Sequence, residues 1–156
     1  MDAGIRDEWI RRMDDAVAEV FRSMLECDCA AVEESPGPGP GILASITFSG
    51  TMEAHCVVEF PSSTAKILTS AFLASDETDW DDAMIGDAVG ELCNMIAGGW
   101  KRRLGPPAQA SDLSIPCISR VPAGSRDRGT KKPDGMLVRR AYAFDAAPFV
   151  VCLSMD

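Results

Sequence analysis

The stretch "ILASITFSGTMEAHCVVEF", from Ile42 to Phe60, decides the fold. On its first arm Ile42, Ala44, Ile46 and Phe48 alternate with Leu43, Ser45, Thr47 and Ser49. On its second arm Met52, Ala54, Cys56, Val58 and Phe60 alternate with Glu53, His55, Val57 and Glu59. Period two on both sides of a "GT" turn predicts an antiparallel hairpin, buried on one face and largely wet on the other. His55 and Glu59 fall on the wet side, where His55 reads as an ordinary solvated histidine.

Outward from this hairpin the pattern changes period. Toward the N-terminus, "SPGPGPG" reads as a stiff loop and "CDCAAVEE" as a short strand whose CxC pair puts both sulfurs on one face. Before that, Ile10, Met13, Val17, Val20, Phe21 and Met24 share one face of a helix running from about Arg6 to Leu25. Toward the C-terminus, "PSSTAKILTSAFL" opens a second helix. The acidic run "SDETDWDD" then suits the N-terminus of a long third helix, about Asp81 to Leu104, closed by "GPP". Three strands follow: "LSIPCISRV", where Pro116 predicts an edge strand or bulge, then "RRAYAFDA" and "FVVCLSM" as a terminal hairpin. Strands come in antiparallel-ready groups, so the expectation is an α+β fold. It has a mostly antiparallel six-stranded sheet with three helices packed on one face, in a single domain over residues 1–156.

Composition narrows the function. The net charge of −9 argues against nucleic-acid and anionic-membrane partners. No apolar run is long enough to span a bilayer and the N-terminus lacks a signal layout, so the expected location is the cytoplasm. The six cysteines contain no CxxC and there is one histidine, which speaks against zinc and for thiols used as small hydrophobes. No GxSxG and no P-loop glycine pattern occur, which leaves a Ser/His/Asp hydrolase and a nucleotide-binding protein unsupported.

The third helix, "GDAVGELCNMIAGGWKRRL" from Gly86 to Leu104, carries the chemistry. At about 100° per residue, Met84, Ile85, Ala88, Val89, Leu92, Met95, Ile96 and Trp100 spread over one face. Asp87, Glu91, Asn94, Gly98 and Lys101 line the other, with Asp87, Glu91 and Asn94 one turn apart. Each interior glycine costs ~1 kcal/mol against alanine. Gly90 and Gly99 fit close packing of another element, and Gly98 fits clear space beside Asn94. On periodicity alone the stripe reads first as a solvated helix face with a glycine-weakened last turn, since charged surface faces are common.

This helix closely resembles the signature of the CheC/CheX/FliY family of chemotaxis phosphatases. That signature is an acidic residue or serine, three residues, Glu, two residues, Asn, and a later proline. Here it reads Asp87, Glu91, Asn94 and, after 21 intervening residues, Pro116. The first two helices also look like those of the CheX branch, so the resemblance covers essentially the whole chain. The family is a pseudo-repeat of helix plus strands, and "DDAVAEVFRSML" from Asp14 aligns with "GDAVGELCNMIA" from Gly86. Asp15, Ala16, Val17 and Glu19 match Asp87, Ala88, Val89 and Glu91, but Arg22 stands where Asn94 does. One retained site is the CheX pattern.

The resemblance implies a phosphatase acting on the aspartyl phosphate of a CheY-like response regulator. Asn94 would hold the attacking water in line and Glu91 would meet a lysine of the regulator, with Asp87, Gly98 and Pro116 auxiliary. It implies no cofactor of the protein's own, Mg²⁺ being supplied by the regulator, and a homodimer joined at sheet edges. The alternatives are a docking or dimerisation module that hydrolyses nothing and a subunit of a motility switch. The segment Ser119–Arg140, with seven basic residues against two aspartates, is expected either to steer an acidic partner or to serve as a solubilising hairpin tip.

Overall fold

The structure is a computed structural model that describes residues 3–123 and 136–155. The hairpin forms as the alternation predicts. Strand β2 (Gly41–Ser49) pairs antiparallel with β3 (Ala54–Pro61), from Gly41 opposite Pro61 to Phe48 opposite Ala54. Ile42, Ala44, Ile46, Phe48, Ala54, Cys56, Val58 and Phe60 are all buried on one face. Gly50 turns the chain at φ 92°, a conformation that favours glycine.

Around the hairpin lie β1 (Ala30–Val32), β6 (Met136–Phe144) and β7 (Ala147–Met155), giving the order β1-β6-β7-β3-β2. The outer edge of β2 is taken by two short strands, β4 (Asp112–Leu113) and β5 (Cys117–Val121). Every pairing is antiparallel. Among the described residues the sheet thus has seven strands rather than the expected six. The cause is Pro116: proline cannot donate to a ladder, so "LSIPCISRV" is interrupted between β4 and β5. Ser114 bridges the gap, its Oγ accepting from Thr47 N at 2.9 Å and its N donating to Thr47 O at 2.9 Å.

Helices α1 (Ala3–Leu25), α2 (Ser62–Phe72) and α3 (Asp82–Arg103) cover the apolar face. A fourth, α4 (Pro106–Gln109), was not expected; Gly105 at φ 93° ends α3 and lets "PPAQ" wind one more turn. In the core Phe60 stacks on Phe149 at 4.7 Å, and fully buried Trp100 meets Trp9 and Phe48 edge-on at 5.0 and 5.4 Å. The Trp100 Nε1 has no acceptor among the described residues.

Three expectations need correction. Cys27 and Cys29 precede β1 rather than sharing a strand face; Cys29 is buried and Cys27 half-buried. Cys117 is an exposed thiol, whereas Cys56, Cys93 and Cys152 are buried as expected. Glu59 is not wet: it is 1% exposed on the sheet face away from the helices, where Arg139 donates to both its oxygens at 3.2 Å. A buried carboxylate needs such a partner, and this one comes from β6. His55, half-buried, has its Nδ1 3.3 Å from Thr47 Oγ1.

Candidate functional site

Helix α3 is capped by the preceding Asp81, whose side chain accepts from Met84 N at 2.8 Å. This satisfies a first-turn N–H that has no helical partner. The last turn holds Lys101, Arg102 and Arg103, so both ends complement the helix dipole. Eleven of its residues are buried, from Ile85 to Trp100, and they seat it on β2 and β3 and against α1 and α2.

The stripe Asp87, Glu91 and Asn94 faces outward, and all three are exposed; Gly98 and Lys101 continue it half-buried. Among the described residues none of the three exposed side chains makes an intramolecular hydrogen bond or ion pair. Chemically the stripe offers two carboxylates, which accept hydrogen bonds, and a carboxamide, which both donates and accepts without titrating.

The glycines divide by role. A Cβ on Gly90 would lie 3.1 Å from Ile118 Cδ1 and 3.5 Å from Pro116 Cβ, so the bare helix surface there lets Pro116 and β5 lie against it. Arg120 of β5 also pairs with Asp82 at 2.8 Å, pinning that strand to the start of α3. Pro116 is thereby set against the residue preceding Glu91. A Cβ on Gly99 would sit 3.4 Å from Ala16 Cβ, marking the close approach of α1. On Gly98 it would meet only Arg102 Nη1, at 3.7 Å, so the space beside Asn94 is open.

The stripe runs between two grooves. Near Asp87 a recess of about 250 Å³ is lined by Phe72, Leu73, Met84 and Ala88. Near Asn94 a larger one of about 410 Å³ lies between α1 and α3. In α1, Glu19 is salt-bridged to Arg103, so the position matching Glu91 is already occupied within the fold. Sequence reasoning missed this pair and missed Arg102, which borders the larger groove. The i,i+4 spacing of Gly98 and Arg102 was the available signal. No group of three or more His, Cys, Asp or Glu among the described residues is arranged to hold a metal.

Of the seven basic residues in Ser119–Arg140, three have partners: Arg120 with Asp82, Arg139 with Glu59 and Arg140 with Asp14. Arg126, Arg128, Lys131 and Lys132 lie outside the described residues.

An antiparallel sheet with helices on one face and an exposed acid-acid-amide stripe beside a proline-broken edge make this an α+β domain of the kind the resemblance to the chemotaxis phosphatases implies. A family model described as chemotaxis phosphatase CheX matches residues 42–125, and the chain belongs to that family. No curated protein matches it. Among solved structures it is similar to the chemotaxis protein CheX from Vibrio vulnificus, with TM-score 0.74 and 15% identity, covering 96% of this chain and 99% of that one. A putative chemotaxis protein from Desulfovibrio vulgaris Hildenborough gives TM-score 0.74 at 21% identity, covering 96% and 97%. A chain of the CheX–CheY–BeF3–Mg²⁺ complex from Borrelia burgdorferi gives TM-score 0.70 at 21% identity, covering 94% and 97%. At these identities the likeness is one of fold. Among the described residues no helix is long and apolar enough to cross a membrane.

Proposed function

We propose that this protein accelerates hydrolysis of the aspartyl phosphate on a CheY-like response regulator, inserting Asn94 and Glu91 into the regulator's site. The observation that carries the reading is the exposed set Asp87, Glu91 and Asn94, unpaired among the described residues, on a helix whose opposite face is buried. An acyl phosphate is already activated, and its loose, in-line transition state asks chiefly for positioning. Asn94 orients the attacking water, as a carboxamide does in small GTPases. Glu91 meets a cation of the regulator, most simply the lysine beside the phosphate, and fixes the register. Asp87 is an auxiliary contact, Gly98 leaves room beside the carboxamide, and Pro116 sets β5 against Gly90. The protein brings no cofactor; the regulator brings Mg²⁺. The reaction takes place in the cytoplasm.

A homodimer fits the edge strand β5, whose Cys117, Ile118, Ser119 and Arg120 are all exposed, with Ile115 beside it 86% exposed. Sedimentation of a monomer at micromolar concentration would remove that part of the reading.

The test is decay of the phosphorylated regulator with and without the protein. Asn94→Ala is expected to abolish most acceleration while leaving the melting temperature nearly unchanged, because the side chain is exposed and makes no hydrogen bond among the described residues. An Asn94→Ala variant with wild-type acceleration sinks the mechanism. Binding of the regulator without faster decay by the wild type favours the alternative, a docking module that hydrolyses nothing.

A further inference from the structure

We propose that the groove between α1 and α3 is the second half of the regulator-docking surface. It receives a carboxylate-bearing segment beside the phosphoaspartate, with Arg102 as its charge contact. This rests on the reading above. The groove holds about 410 Å³ and is bordered by Ser23 and Met24 of α1 and by Asn94, Gly98 and Arg102 of α3. Asn94 therefore belongs both to the stripe and to the groove wall, and a partner seated on one extends into the other.

The placement of Arg102 is specific. Its Nη1 and Nη2 lie 3.7 and 3.8 Å from where Cβ atoms on Gly98 and Gly99 would stand. The guanidinium is thus drawn back along the helix over two bare residues, the direction helical side chains take, and toward Asn94. The neighbouring cation is already used, since Arg103 pairs with Glu19 and donates to Gly99 O at 3.0 Å. Arg102 has no ion pair among the described residues. Exposed Met24, 56% accessible, offers adaptable apolar contact on the opposite wall.

The occupant follows from charge. A Mg²⁺ ion on an aspartyl phosphate is held by carboxylates, so the rim of such a site is acidic. A guanidinium takes a carboxylate through two parallel hydrogen bonds. Along α3 the order is acid at Asp87 and Glu91, amide at Asn94 and cation at Arg102. This two-ended pattern admits one docking direction and opposes the reversed one. A protein of net charge −9 has particular need of such a local cation to meet an acidic rim.

The test uses a panel of purified CheY-like receiver domains loaded with Mg²⁺ and beryllofluoride, a phosphoryl mimic, titrated calorimetrically against the intact protein. Arg102→Ala is expected to raise Kd roughly threefold to tenfold and Arg102→Glu further, with Arg102→Lys between Ala and wild type. The same variants in the phosphate-decay assay should change KM rather than kcat, and the differences should shrink as salt rises. Unchanged melting temperatures separate this from misfolding. Wild-type affinity in Arg102→Glu overturns the docking proposal while leaving the phosphatase reading intact. Weakened binding in Arg102→Glu, with a wild type that binds but never hastens decay, keeps the docking surface and overturns the phosphatase. A wild type that binds no domain of the panel overturns both.

Discussion

Substituting Gly98 by alanine should raise stability and lower function together. Position 98 is interior to α3, has ordinary helical φ, and is half-buried. The new methyl would meet only Arg102 Nη1, at 3.7 Å, which is van der Waals contact rather than a clash. The helix-propensity gain of about 0.8–1 kcal/mol should therefore appear nearly whole. In a domain of this size that is a rise of roughly 2–4 °C in Tm. Gly99→Ala is the internal control. Its methyl would stand 3.4 Å from Ala16 Cβ, at the close limit of van der Waals contact and fixed to the α1 backbone, so the gain should be smaller than at Gly98. Urea titration of both variants measures the difference. If Gly98 is retained to clear space for a partner beside Asn94, the stabilised variant should lose roughly fivefold or more of its regulator-dephosphorylating efficiency. A destabilised Gly98→Ala would refute the structural argument. A stabilised variant with full activity would refute the functional one, leaving Gly98 as an unused weakness in the helix.

Other outcomes follow from the fold. Gly41→Ala puts a Cβ 2.6 Å from Phe60 O, a backbone atom of the paired strand, and should cost about 1–3 kcal/mol in urea unfolding. Tyr142→Phe removes the 2.6 Å hydrogen bond that its hydroxyl donates to Asp14 and leaves Arg140 as that carboxylate's partner; the expected loss is about 1–2 kcal/mol with activity retained. Alkaline pH should destabilise the protein, because burial raises the Cys152 thiol to about 11 and the Cys29 thiol to about 12, from an ordinary 9.0. The folded chain keeps these protons when the unfolded chain loses them. That stability is present in full below pH 9 and is lost as pH rises through the folded values, at up to about 1.4 kcal/mol per pH unit per thiol. A urea midpoint that stays flat from about pH 8 to about pH 11 would contradict this.

The parts of the fold legible in sequence are those set by local periodicity with one face buried. Ile42–Phe60 alternates because its even positions enter the core, and α3 shows its apolar face and its Asp81 cap within a single turn. What escaped depends on distant partners. Glu59 looked wet because alternation placed it there; only Arg139, 80 residues away, makes its burial tolerable. The break at Pro116 was visible, but not the Ser114 bonds that keep both halves on β2. The candidate stripe was legible because Asp87, Glu91 and Asn94 are helical neighbours. The groove was not, because it needs α1 beside α3, and nothing local to "GGWKRR" shows which arginine Glu19 takes.

That choice explains why two similar helices yield one candidate site. Glu19 and Glu91 match in the internal alignment, but their surroundings differ. Glu19 is turned to Arg103 across the helix pair, and Ser23 donates to the Glu19 carbonyl at 2.7 Å, spending its hydroxyl on its own helix. Where α3 offers the carboxamide of Asn94, α1 offers the guanidinium of Arg22, which only donates and has no lone pair with which to orient a water. Freeing Glu19 by removing Arg103 would restore a carboxylate but no amide, and it would also loosen α1 from α3. The α1 stripe has instead become the wall against which the α3 stripe is presented. With Arg103 paired to Glu19, Arg102 stands at the edge of the groove beside Asn94 with no ion pair among the described residues.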